Sequence, residues 1–90
     1  MRDLRELVLD KNKIKFINDK SFVGQVQRLH ELHLEENRLR DLSNIEQLKN
    51  LQKLFVANNR ISEFGDMDRL LELNHLIEIS LINNPVKLNY

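Results

Sequence analysis

LHELHLEENRL, residues 29–39, packs two histidines and three glutamates into seven positions. Read alone, it suggests a metal site. The zinc-protease pattern needs the second histidine three residues after the glutamate, and position 34 is leucine. The stretch is better explained by its recurrence. Residues 4–14 read LRELVLDKNKI, residues 51–61 read LQKLFVANNRI, and residues 76–86 read LIEISLINNPV. All four fit L-x-x-L-x-L-x-x-N-x-L, with Ile or Val at some apolar places. They start 25, 22 and 25 residues apart. Several apolar places and an asparagine, repeated in register, mark a chain of stacked structural units.

Each copy carries a strand-like alternation. In Leu32-His33-Leu34 the polar residue faces opposite to its two leucines, as do Val8, Phe55 and Ser80 in the other copies. Four short strands, each followed by a return segment, stack as a parallel sheet with leucines inward. The asparagines Asn12, Asn37, Asn59 and Asn84 follow the strands. A turn there leaves backbone groups facing inward, and a carboxamide supplies both donors and an acceptor for them. These four are expected to form a structural ladder along the coil. Between Leu39 and Leu51 the apolar residues Leu39, Leu42, Ile45, Leu48 and Leu51 recur every third position, which suits a 3₁₀-like path. The series Ile61, Phe64, Met67, Leu70, Leu73, Leu76 spans three residues more, enough to lengthen that return into a true helical turn or two. The first return, through Ile14, Ile17, Phe22 and Val26, is less regular, with Asp19 or Ser21 placed to cap a short helix.

The repeat resembles that of the leucine-rich-repeat family. Its period is similar to that of the subclass with repeats of roughly 22 residues, typified by a regulatory subunit of protein phosphatase 1. The resemblance implies an α/β solenoid: four short parallel strands on the concave face, with 3₁₀ or short helical returns on the convex face. Residues 1–90 then form one repeat domain, with repeats starting near 4, 29, 51 and 76. Residues 84–90, NPVKLNY, are similar to the start of the cap that closes such arrays.

Composition narrows the function. Fourteen acidic and fourteen basic residues cancel, so net charge does not point to nucleic acid or an anionic membrane. No apolar run reaches membrane-spanning length, and the opening residues Arg2, Asp3, Arg5 and Glu6 are unlike a signal peptide. The chain has no cysteine, hence no disulfide and no thiolate nucleophile, which fits an intracellular setting. No Ser-His-Asp arrangement, Gly-rich phosphate loop or buried carboxylate pair can be argued, so neither catalysis nor a cofactor is expected.

The outward strand residues supply the candidate site. Glu31, His33, Glu35, Lys53, Phe55, Ala57, Ile77 and Ile82 are its expected partner-binding residues. Phe55, Ala57, Ile77 and Ile82 are read as an apolar patch facing water, rimmed by charge, which is how protein-binding surfaces are built. Phe55 is the expected anchor, because aromatics dominate interface energetics. Glu31, His33 and Glu35 share a face but are expected to splay about 7 Å apart, too far to converge on a metal ion. A basic column follows the asparagines at Lys13, Arg38 and Arg60, flanked by Lys15 and Arg40. Its bland reading is a set of surface cations paired with the neighbouring acidic column, and its sharper reading is a stripe for an anionic partner.

The resemblance implies a protein–protein interaction module that docks a helix or loop of another protein on its concave face, in intracellular, cytoskeletal or ciliary company. Alternatives from different classes are a phosphatase regulatory subunit and an RNA-associated scaffold. The acidic columns beside the basic one argue against nucleic acid. Neither end carries a complete cap, so the chain reads as part of a longer array, with self-association through its ends a further expectation.

Overall fold

The computed structural model describes residues 5–18, 20, 28–62 and 66–85. Four strands, β1 (Glu6–Val8), β2 (Glu31–His33), β3 (Lys53–Phe55) and β4 (Glu78–Ser80), form one parallel sheet in chain order. The register is the one the repeat dictates: Leu7 beside Leu32, Leu32 beside Leu54, and Leu54 beside Ile79. Each strand has three residues.

Pairing continues beyond the strands. Leu9 N–H donates to the His33 carbonyl, Leu34 N–H to Phe55 and Val56 N–H to Ser80, at 2.7–3.0 Å. Two residues later Lys11, Glu36 and Asn58 repeat the pattern onto Glu35, Ala57 and Ile82. At this second point the backbone turns left-handed. Lys11, Glu36, Asn58 and Asn83 all have φ of 58–60°. That conformation folds the chain back under the sheet. It disfavours residues with a Cβ, and asparagine tolerates it best among them.

The asparagine carboxamides lie directly under these turns. Asn37 Nδ2 lies 3.0–3.2 Å from the carbonyls of Leu9, Leu34 and Glu35, while its Oδ1 accepts from Ile14 N–H at 3.1 Å. Asn59 does the same one coil on, with Leu34, Val56 and Ala57 as acceptors and Leu39 N–H as donor. Asn84 repeats it on Val56 and Leu81 and accepts from Ile61 N–H. Asn12 reaches only Leu9 and Asp10 of its own coil. The ladder therefore links each coil to the one before it, through backbone groups that the turn leaves unpaired.

The leucines meet beneath the sheet. Leu29, Leu32, Leu39, Leu42, Ile45, Leu48, Leu51, Leu54, Val56 and Ile61 are completely buried. The second return contains a 3₁₀ helix, Ile45–Gln47, entered through Asn44 at φ 73°. Asn44 Nδ2 donates 2.9 Å to the Ile17 carbonyl and ties this return to the first. The longer third return contains α1 (Asp66–Leu71), the helix its three extra residues allow. Arg69 of α1 bonds Glu46 of the 3₁₀ helix at 3.2 Å. Leu4, Asp19, Ser21, Phe22, Val26, Phe64, the Met67 side chain and cap residues 86–90 lie outside the described residues.

Candidate functional site

Coil stacking sets Val8, His33, Phe55 and Ser80 in one file across the sheet, since Val8 pairs with His33, His33 with Phe55 and Phe55 with Ser80. A second file, Glu6, Glu31, Lys53 and Glu78, lies beside it on the same face. Parallel strands stand about 4.8 Å apart, so neighbours in a file touch.

The middle of this surface is bonded together. The His33 ring stacks on Phe55 with centroids 4.6 Å apart and planes 26° from parallel. His33 Nε2 lies 3.1 Å from Glu6 Oε2 and 3.4 Å from Glu31 Oε2. With carboxylates on two sides, Nε2 is the nitrogen placed to carry the ring's proton. Glu31 Oε1 in turn faces Lys53 Nζ at 3.8 Å. Two carboxylates, an imidazole, an ammonium and an aromatic ring form one network spanning three strands. Asp10 Oδ1 accepts from Glu35 N–H at 2.7 Å, which joins the first coil to the second at the strand exit.

Two expectations are corrected here. Glu31 and His33 do not splay apart: the imidazole leans back along its own strand and diagonally toward β1. Ligand-type atoms of Glu6, Glu31 and His33 lie within 4.8 Å of one another. In the structure these groups bond one another, and Glu31 also pairs with Lys53. The alternation argument failed because long side chains reach sideways across a 4.8 Å file as easily as they stand upright. Ala57 does not face water. It is 2% exposed, because the chain has begun its left-handed turn at Asn58 and a single methyl stays below its neighbours.

The apolar patch is consequently divided. Phe55 is half-buried under His33, whereas Ile77 and Ile82 are 76% and 69% exposed on the fourth coil. Val8 is 56% exposed on the first. Glu35 and Lys53 are half-buried. Glu6 and Asp10 join the surface network although they stand outside the expected partner-binding residues. Their register opposite Glu31 and Glu35 was the available signal.

The leucine rich repeat family model matches residues 2–61, two-thirds of the chain. The chain belongs to the leucine-rich-repeat family. Its four-stranded parallel sheet is a short solenoid of that family. Leucine-rich repeats act as protein–protein interaction modules and are typically non-enzymatic. A comparison with curated proteins finds no match. No helix among the described residues is long and apolar enough to cross a membrane.

Proposed function

We propose that this leucine-rich-repeat chain captures a helix or loop of another protein on the concave face of its sheet. The observation that supports this is the His33–Phe55 stack, a flat plate held in place by Glu6 and Glu31 before any partner arrives. Preorganised side chains lose little entropy on binding, and an aromatic plate within a charged rim is the make-up of an interface hot spot. In this reading Phe55 and Ile82 contribute apolar contact, with Ile77 beside them. Glu31, Glu35 and Lys53 set the partner's register through charge.

Affinity capture from cell lysate tests the reading, with the intact chain compared against Phe55→Ser/Ile82→Ser. Both sites tolerate serine, because Ile82 is exposed and Phe55 lies outside the core. The variant is expected to keep the far-UV circular dichroism of the parent and to lose the proteins the parent retains. An unchanged set of captured proteins would remove the concave face from the account.

A further inference from the structure

The edge where the coils leave the sheet carries five cations in a block. Lys13 and Lys15 sit on the first coil, Arg38 and Arg40 on the second, and Arg60 on the third. Backbone pairing still operates there: Arg38 N–H donates 2.8 Å to the Ile14 carbonyl and Arg60 N–H donates 2.7 Å to Leu39. Ile14, Leu39 and Ile61 pack against or within the core, so the residues around them turn outward. Lys13, Lys15, Arg40 and Arg60 are exposed, and Arg38 is half-buried. Lys13, Arg38 and Arg60 thus stack at about 5 Å, the strand spacing.

The bland expectation was that the adjacent carboxylates neutralise these cations. They do not. The ion pairs among the described residues involve His33, Lys53 and Arg69, and none of the five edge cations makes a side-chain hydrogen bond or ion pair. Two acids close in sequence accept backbone N–H groups. Asp10 accepts from Glu35 N–H, and Asp41 Oδ1 accepts from Ser43 N–H at 3.1 Å. Like charges at this spacing repel, and among the described residues no ion pair offsets that repulsion.

We propose that this edge is a second docking surface, for an extended acidic segment of a partner protein. Charge complementarity selects the occupant. Three of the five cations are arginines, whose planar forks donate two parallel hydrogen bonds to a carboxylate. The surface is also bounded. The fourth coil has Pro85 in place of a cation, and Glu36 and Asp41 flank the block. That extent suits two or three carboxylates. Exposed Phe16, next to Lys15, offers a peptide side chain one apolar contact, where single-stranded nucleic acid is bound by successive aromatic platforms. The edge cations are different residues from those of the concave network, so the proposal stands or falls separately from that reading.

Fluorescence anisotropy of the intact chain with a labelled peptide of roughly 12 residues, alternating Glu and Ser, tests it. The matching Gln–Ser peptide and a thymidine oligonucleotide of about equal length serve as comparisons. The chain is expected to bind the acidic peptide saturably and the Gln–Ser peptide not at all. Arg38→Gln/Arg60→Gln is expected to weaken binding about tenfold or more, as is Lys13→Gln/Lys15→Gln, since charge-assisted bonds are the stronger kind. None of these side chains has a bond among the described residues, so both variants are expected to keep the parent's circular dichroism. Lys53→Gln, on the concave face, is expected to leave binding within about twofold. Failure to bind the acidic peptide, parent-like binding by both edge variants, or tighter binding of the oligonucleotide would overturn the proposal.

Discussion

At the residue scale the asparagine ladder carries the strongest consequences. Asn59 is 7% exposed and engages three carbonyls and one amide, whereas Asn12 is exposed and reaches only carbonyls of its own coil. A buried group left unpaired costs about 1–3 kcal/mol. Asn59→Ala and Asn37→Ala are therefore expected to lose about that much in urea unfolding, and Asn12→Ala distinctly less. Equal losses at all three would deny the ladder. The left-handed column gives a prediction of opposite sign. Glu36 holds φ 58° with a side chain that gains nothing from it. Asn58 and Asn83 hold the same conformation and also bond each other at 2.9 Å. Glu36→Asn is expected to raise stability, by up to about 1 kcal/mol, the scale of the left-handed penalty. The ladder was legible in the sequence, because the same residue recurs at the same place. The left-handed column was not: its occupants are Lys, Glu, Asn and Asn, and only the last two hint at positive φ. Ala57 was misread for a related reason, since alternation was carried one residue past the point where the strand ends.

At the element scale the strands are too short to be stable by their own pairing. Their leucines hold them by packing below the sheet. Leu54 is fully buried between flanking coils, and Leu7 on the edge strand only partly. Leu54→Ala is expected to cost roughly 2–5 kcal/mol and Leu7→Ala less, measured as the shift in the urea midpoint. The returns followed their apolar spacing: the shorter one winds into a 3₁₀ turn and the longer one holds α1. Their mutual contact was not legible, because Arg69 and Glu46 are 23 residues apart with no pattern linking them. One Glu46 oxygen is buried without a partner, so the charge depends on Arg69 at the other. Arg69→Ala is expected to destabilise the fold by about 1–3 kcal/mol, with Glu46→Gln in the same chain recovering part of the loss. A double variant no more stable than Arg69→Ala alone would show that the pair contributes little.

At the scale of the whole molecule each coil touches only its neighbours, and stability should peak where a coil is covered on both sides. The buried leucines lie mainly in the second and third coils, while Leu7, Leu9 and Leu81 are partly covered and Ile79 is 37% exposed. Native-state hydrogen exchange is expected to be slowest at Leu34, Leu39 and Val56, with β1 and β4 opening first. The architecture was legible because it repeats. The surface was only half legible, because which side chains bond across strands depends on rotamers and reach, as with Glu6 and His33, and no single-strand pattern reports those. The neutral net charge concealed a local grouping, with Glu6 and Glu31 bonded on the concave face and five cations along one edge that form no ion pair among the described residues.

The central claim is that successive coils superimpose, so that positions 8, 33, 55 and 80 form one file on one sheet. Proton–proton distances from nuclear Overhauser spectra of isotope-labelled protein test it directly. Contacts from Val8 to His33, from the His33 ring to the Phe55 ring, and from Phe55 to Ser80 are expected, with His33 ring protons shifted upfield by stacking and returning on Phe55→Leu. A folded chain that lacked these contacts, or whose His33 signals ignored the change at Phe55, would contradict the architecture and the docking surface derived from it.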